Sequence, residues 1–127
     1  MRLLLDTHIV LWCLEGSDDL PGEAKQLISS ADAVYASAVN IWEIIIKIST
    51  GKLRLHMDPH DLIQTMTDSG FEMLSIKPEH ALKLIDLDTI HRDPFDRILI
   101  AQSFVEPLHL VTCDSVVAKY GGNVILV

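Results

Sequence analysis

The chain has 127 residues, 49% of them hydrophobic, and its 18 acidic against 10 basic side chains leave a formal charge of -8. That length and apolar fraction give a single domain, residues 1–127, with a sizeable core and no room for a second. The acidity excludes simple phosphate-backbone binding through Lys and Arg: either the partner is not nucleic acid, or bound cations reverse the local sign.

Cys13 and Cys113 are far apart with no Cys-x-x-Cys, and the apolar run that opens the chain is interrupted at Asp6, too early for a signal peptide. No stretch approaches the roughly 18 continuous apolar residues of a membrane span. The expectation is a soluble cytoplasmic protein with reduced thiols.

The first element is RLLLD, where Leu3, Leu4 and Leu5 form an unbroken apolar run, as in a parallel strand covered by helices on both faces. GSDDLPGE, residues 16–23, reads as the clearest surface loop. AVYAS is a second strand, and Ser37 behind it can cap a helix that Gly51 ends. A helical stretch follows over residues 59–69, then Gly70, the strand FEMLSI and a helix from Pro78 to about Ile85. After Asp93 and Pro94 a helix runs to about Val105, before the strands LHLVT and NVILV. Strands alternating with helices predict an α/β fold, a three-layer α/β/α sandwich around a mostly parallel sheet.

In an open parallel sheet, ligands bind beyond the carboxyl ends of the strands. Asp6 follows Leu5, and Asp114 follows Val111, Thr112 and Cys113, so each stands where an apolar strand stops. A turn or helix cap would account for either aspartate alone. Within the helix after Ser37, Ile41, Trp42, Ile44, Ile45, Ile46 and Ile48 take up most of the circumference, leaving Asn40, Glu43, Lys47 and Thr50 as one narrow polar stripe. Glu43 is either a surface partner of Lys47 or a functional carboxylate. In HRDPFDRILIAQ, Asp93 suits an N-cap, Pro94 the first turn and Asp96 the third helical position, where an acid favours the helix dipole. Asp96 can serve that end and still project toward the same sheet edge as Asp6.

Four carboxylates drawn together would suit a hard divalent cation, Mg²⁺ or Mn²⁺, which prefers oxygen ligands and relieves like-charge repulsion. Zinc fits less well, because the 6 His are scattered and no HExxH or Cys/His ligand spacing occurs.

Over essentially its whole length the chain resembles the PIN domain, and within it the VapC-like toxins of type II toxin–antitoxin systems. LLLDTHIVLW, ASAVNIWEIIIKISTGKL, HRDPFDRILIAQ and LVTCD, in that order, carry the resemblance. It implies Asp6, Glu43, Asp96 and Asp114 as the catalytic acids, with Asp6, Asp96 and Asp114 on Mg²⁺ (Mn²⁺ as a substitute). Thr112, Ser115, Arg97 and Asp93 become candidate supporting or substrate-binding residues. It further implies an endoribonuclease that leaves a 3′-hydroxyl and a 5′-phosphate, an RNA substrate such as tRNA, a cognate antitoxin and a homodimer.

Lys47, Lys52, Arg54, Arg92 and Arg97 lie near these acids in sequence and could guide phosphates toward a metal. Ile9, Trp12, Trp42, Ile45 and Ile46 offer apolar surface for an antitoxin segment and a dimer contact. His8 could touch substrate or simply be hydrogen-bonded. Two rival readings remain at this level. An aspartyl-phosphate phosphotransferase would want a second Asp two residues after Asp6, where His8 stands. A catalytically silent partner-binding module would tolerate neutralisation of all four acids.

Overall fold

The computed structural model describes residues 1–127. All five predicted strands form: β1 (Arg2–Leu5), β2 (Ala33–Ser37), β3 (Glu72–Leu74), β4 (His109–Thr112) and β5 (Val124–Leu126). They make one sheet in the order β3-β2-β1-β4-β5, with every pairing parallel. The sheet is therefore wholly parallel, and β1 lies at its centre.

Seven α-helices connect the strands: α1 (Thr7–Glu15), α2 (Gly22–Ser30), α3 (Ala38–Ser49), α4 (Leu62–Asp68), α5 (Pro78–Lys83), α6 (Pro94–Val105) and α7 (Ser115–Ala118). Single 3₁₀ turns precede α4 (Pro59–Asp61) and follow α5 (Leu84–Asp86), so the two predicted helical stretches there are each split. The expected loop over residues 16–23 is shorter, because Gly22 and Glu23 already belong to α2.

Alternation along β1 explains its unbroken apolar run. Leu3 and Leu5 point to one side, where Ile9, Val10, Ile44, Leu62, Met66 and Val111 complete a core. Leu4 points to the other, against Val39, Leu99, Ile100, Leu110 and Val117. All three leucines are fully buried, as a strand between two helical layers requires. The sheet thus lies inside an α/β/α sandwich. Val39 and Ile44 put α3 in both cores, so this helix crosses over the sheet edge rather than lying on one face.

The circumference of α3 is used in a way its sequence does not announce. Its Ser37 N-cap holds the Val39 N–H at 3.0 Å, and Asn40 returns a capping bond to the Ser37 N–H at 2.7 Å. Asn40 and Glu43 then face inward and are buried, while Trp42, Ile45 and Ile46 are exposed at 51%, 40% and 41%. The narrow polar stripe left Glu43 open between a surface partner of Lys47 and a functional carboxylate, and its upper part is the inner face: Glu43 is buried and still pairs with Lys47. The reason is positional, since that part of the stripe reaches past the carboxyl ends of β1 and β4, where the apolar core has ended.

No helix is long and apolar enough to cross a membrane. Cys13 is half-buried and Cys113 exposed, both as free thiols.

Candidate active site

Three helices begin at the carboxyl edge of the sheet, and an aspartate stands at the head of each. Asp6 caps α1 by accepting the Thr7 N–H at 2.6 Å. Asp93 caps α6 by accepting from Phe95 N–H at 2.9 Å and Asp96 N–H at 3.4 Å. Asp114 caps α7 by accepting from Val116 N–H at 2.8 Å. For Asp6 after β1 and Asp114 after β4, capping and site-building are therefore one arrangement, because a cap at a strand's carboxyl end points its carboxylate over the sheet edge. The first-turn position of Asp96 on α6 and the inward face of α3 bring in the remaining two acids.

The outcome is a pocket of about 360 Å³ lined by Asp6, His8, Glu43, Lys47, His91, Asp93, Asp96, Cys113 and Asp114. Asp6, Glu43, Asp96 and Asp114 all meet there. Asp93 joins them in addition to its capping role.

Each acid is held differently. Asp6 is buried, with Oδ1 taken by the Thr7 N–H and Oδ2 by the Thr112 hydroxyl at 2.6 Å. The Thr112 oxygen in turn accepts from the Asp114 N–H at 3.0 Å, so one threonine ties the first and fourth acids together. Burial raises the Asp6 carboxyl above its ordinary range, against the lowering effect of those two donors. Glu43 is only 4% exposed. Its Oε1 accepts from the Thr7 hydroxyl at 2.6 Å and its Oε2 lies 2.7 Å from Lys47 Nζ. Asn40 Nδ2 donates to Thr7 Oγ1 at 3.0 Å and to the Leu5 carbonyl at 3.2 Å, which fixes the threonine that fixes Glu43. Burial works against the Lys47 charge, but the hydrogen bond and charge of Glu43 outweigh it and raise the ammonium.

Asp96 carries the strain of the arrangement. Burial first, then the charges of Asp6, Asp93, Glu43 and Asp114, push its carboxyl up from 3.8 to about 8. His91 Nε2 lies 2.8 Å from Asp96 Oδ2 and 3.5 Å from Asp114 Oδ2. Ligand atoms of His91, Asp96 and Asp114 all fall within 4.8 Å of one another. Asp6 lies outside that tight group, although it lines the same pocket.

The donor set fits a hard divalent cation: oxygen atoms dominate it, and a clustering of like charges that forces one acid to retain its proton is what a cation would relieve. The pocket has one thiol, Cys113, and the close group of ligand atoms contains one imidazole, His91, a poorer set for zinc than thiolate pairs or several imidazoles.

Two supporting residues expected from sequence are placed elsewhere. Ser115, the first residue of α7, is exposed and does not line the pocket. Arg97 does not reach it either. Its guanidinium donates to the carbonyls of Asp88 and Leu84 at 2.9 and 3.3 Å and to the Tyr120 hydroxyl at 3.1 Å. The planar fork is consumed in strapping down the segment before α6. Among the other cations, Lys52 and Arg92 are exposed and line a second cleft of about 430 Å³ with Ile46, Lys47, Pro94 and Phe95, adjoining the acid pocket through Lys47 and Asp93. Ile9 is fully buried, so it belongs to the core and not to any docking surface. Trp12 is half-buried and stacks with His8 at 5.9 Å, whereas Trp42 meets Phe95 edge-on at 4.9 Å.

Thr7, Asn40 and His91 were not singled out as members of the site by sequence reasoning. Thr7 and His91 carry no spacing signal; Asn40 had one, its place one helical turn before Glu43 on the same face.

A family model described as the PIN domain matches residues 3–123. Solved structures with the same fold include VapBC2 of Rickettsia felis bound to a fragment of its promoter DNA, at 16% identity and a TM-score of 0.69, covering 100% of this chain and 98% of that one. A toxin–antitoxin complex from Klebsiella pneumoniae shares 19% identity with a TM-score of 0.66, over 97% and 95% of the two chains. FitAcB from Neisseria gonorrhoeae gives 16% and 0.67, over 97% and 96%. No curated protein matches the chain in sequence. The family match covers nearly the whole chain, and its fold and acid-lined sheet edge accord with it: the chain belongs to the PIN domain family.

Proposed function

We propose that this PIN domain is a metal-dependent endoribonuclease and the toxin of a type II toxin–antitoxin pair. The observation that supports it best is the convergence of Asp6, Glu43, Asp96 and Asp114 in one pocket, with Asp96 held at about 8 by burial and by the other acids.

Asp96 and Asp114, with Asp6 beside them, would hold Mg²⁺ or Mn²⁺. Such an ion, when bound, polarises a phosphodiester and makes water a competent nucleophile at neutral pH. The chain's own residues supply the rest. Glu43, pinned between Thr7 and Lys47, presents a carboxylate of fixed orientation to accept a proton or orient the attacking water. Thr112 keeps Asp6 and Asp114 in register with each other. Lys52 and Arg92, exposed in the adjoining cleft, give an acidic protein a local positive approach for an RNA strand. In-line hydrolysis would leave a 3′-hydroxyl and a 5′-phosphate.

The antitoxin partner is proposed from two sources: the toxin–antitoxin complex named among the solved structures, and the exposed Trp42, Ile45 and Ile46 on α3. A homodimer is proposed on the same apolar excess. The cytoplasm is the compartment where such an RNA substrate would be met.

The test is cleavage of total RNA by the antitoxin-free protein with Mg²⁺ or Mn²⁺, with EDTA, and with Asp6→Asn and Asp96→Asn in parallel. Metal-dependent cutting lost in both variants is the expected result. No cutting by folded protein across several RNA pools in either metal would refute the nuclease reading and leave the partner-binding module.

A further inference from the structure

The short distances from His91 Nε2 to Asp96 and Asp114 invite the view that His91 is a third ligand for the cation of the preceding section. The other ring nitrogen argues otherwise. A histidine that binds a metal through one nitrogen carries its hydrogen on the other and donates it to a carbonyl or carboxylate. Here Nδ1 faces a donor: it accepts the Asp93 backbone N–H at 3.3 Å. With Nδ1 accepting, the ring hydrogen sits on Nε2, on the side of the acids.

That Nε2 atom is buried and has no aligned hydrogen-bond acceptor. The 2.8 Å approach to Asp96 Oδ2 is close enough for a bond, but the angle is not met. Hydrogen bonds in ligand-free sites are often misaligned and tighten once the ligand is present. The ring is well anchored for such a role. The His91 backbone N–H donates to the Tyr120 hydroxyl at 2.9 Å, and Arg97 reaches the same hydroxyl from the next helix. Arg97 and Tyr120 together thus hold the segment that presents His91.

We infer that His91 is a positioning residue whose Nε2–H holds the outer oxygen of Asp96, leaving the other Asp96 oxygen to the cation, and that it is not itself a nitrogen ligand. The inference rests on the metal reading of the site. It adds a residue to that site and assigns Arg97 and Tyr120 the task of aiming it.

Mn²⁺ serves as the probe, with affinity measured by calorimetry and the ligand atoms by pulsed electron paramagnetic resonance on the intact chain. Mn²⁺ bound to the unmodified protein should show no directly coordinated nitrogen. His91→Ala should weaken Mn²⁺ binding about tenfold, the lower end of the usual cost of losing a ligand's supporting hydrogen bond, and His91→Gln, which keeps a donor of similar reach, should recover to within about threefold. Circular dichroism confirms that both variants fold, and if His91→Ala does not, the unmodified protein and His91→Gln decide the matter. A directly bonded nitrogen that disappears in His91→Gln would overturn the inference, as would unchanged affinity in His91→Ala. Failure of the unmodified protein to bind Mn²⁺ at all would remove the metal reading, and this inference with it.

Discussion

Neutralising Asp96 should stabilise the metal-free protein while destroying its metal site. The side chain is 13% exposed, and burial with four neighbouring acids raises its carboxyl from 3.8 to about 8. The native state then keeps this proton up to about pH 8, whereas the unfolded chain releases it near the ordinary value. Between those limits the unfolded state binds fewer protons, so metal-free stability falls as pH rises through the window. Taken at face value the shift would be worth up to about 4 kcal/mol at pH 7, and residual solvent screening reduces this to roughly 1–3 kcal/mol. Asp96→Asn has no charge to repel. In EDTA at pH 7.5 it should melt roughly 4–10 °C above the parent, given the scaling for a chain of this size. At pH 4, close to the ordinary value of 3.8, little of that protonation penalty remains, so the difference should nearly vanish. Saturating Mn²⁺ should raise the melting temperature of the parent more than that of the variant. Thermal unfolding by circular dichroism across pH and metal provides the assay. A variant no more stable than the parent in EDTA at pH 7.5, or a gain that persists at pH 4, would refute the account of Asp96 as a strained acid.

Other substitutions separate roles that lie close together. Asp93→Asn keeps an oxygen able to accept from the Phe95 and Asp96 N–H groups, so stability should change by less than about 1 kcal/mol in urea unfolding. A tenfold loss of Mn²⁺ affinity in that variant would instead make Asp93 a ligand. Arg97→Ala removes bonds to the Asp88 and Leu84 carbonyls and to Tyr120, costing about 1–3 kcal/mol and speeding amide hydrogen exchange over residues 84–92. Exchange unchanged there, together with weaker RNA binding, would return Arg97 to the phosphate-binding role suggested by its place in the sequence.

The parallel sandwich was legible in sequence because each cue is local and forced. Leu3, Leu4 and Leu5 can all be apolar only if both faces of the strand are covered. Asp6 and Asp114 stand at strand–helix junctions and Asp93 at the loop-to-helix start of α6, where capping demands an oxygen whether or not chemistry follows. Pro94 marks the start of α6 by its missing N–H. Asp6 and Asp114 could therefore be placed before any coordinates, since a cap at the carboxyl edge of a parallel sheet has one general direction to point, whereas Glu43 and Asp96 are not caps and were named with the help of the resemblance to the PIN domain.

What only the tertiary structure decided concerns direction where the sequence is nearly symmetric, and contacts between segments far apart. The apolar residues of α3 encircle most of it, so which side faces the core was set by the crossing of α3 over the sheet edge, which turns Asn40 and Glu43 inward and leaves Trp42, Ile45 and Ile46 outside. Arg97 stands among the candidate site residues in sequence, yet its fork meets the 84–88 carbonyls and Tyr120. His91 sits outside any regular element, and only folding brings its ring to Asp96 and Asp114. The sequence by itself determined that Asp6 and Asp114 end at the sheet edge, because backbone geometry dictates that locally. Their partners, and the strain that the fold stores in Asp96, depend on burial and on charges that meet only across the closed structure.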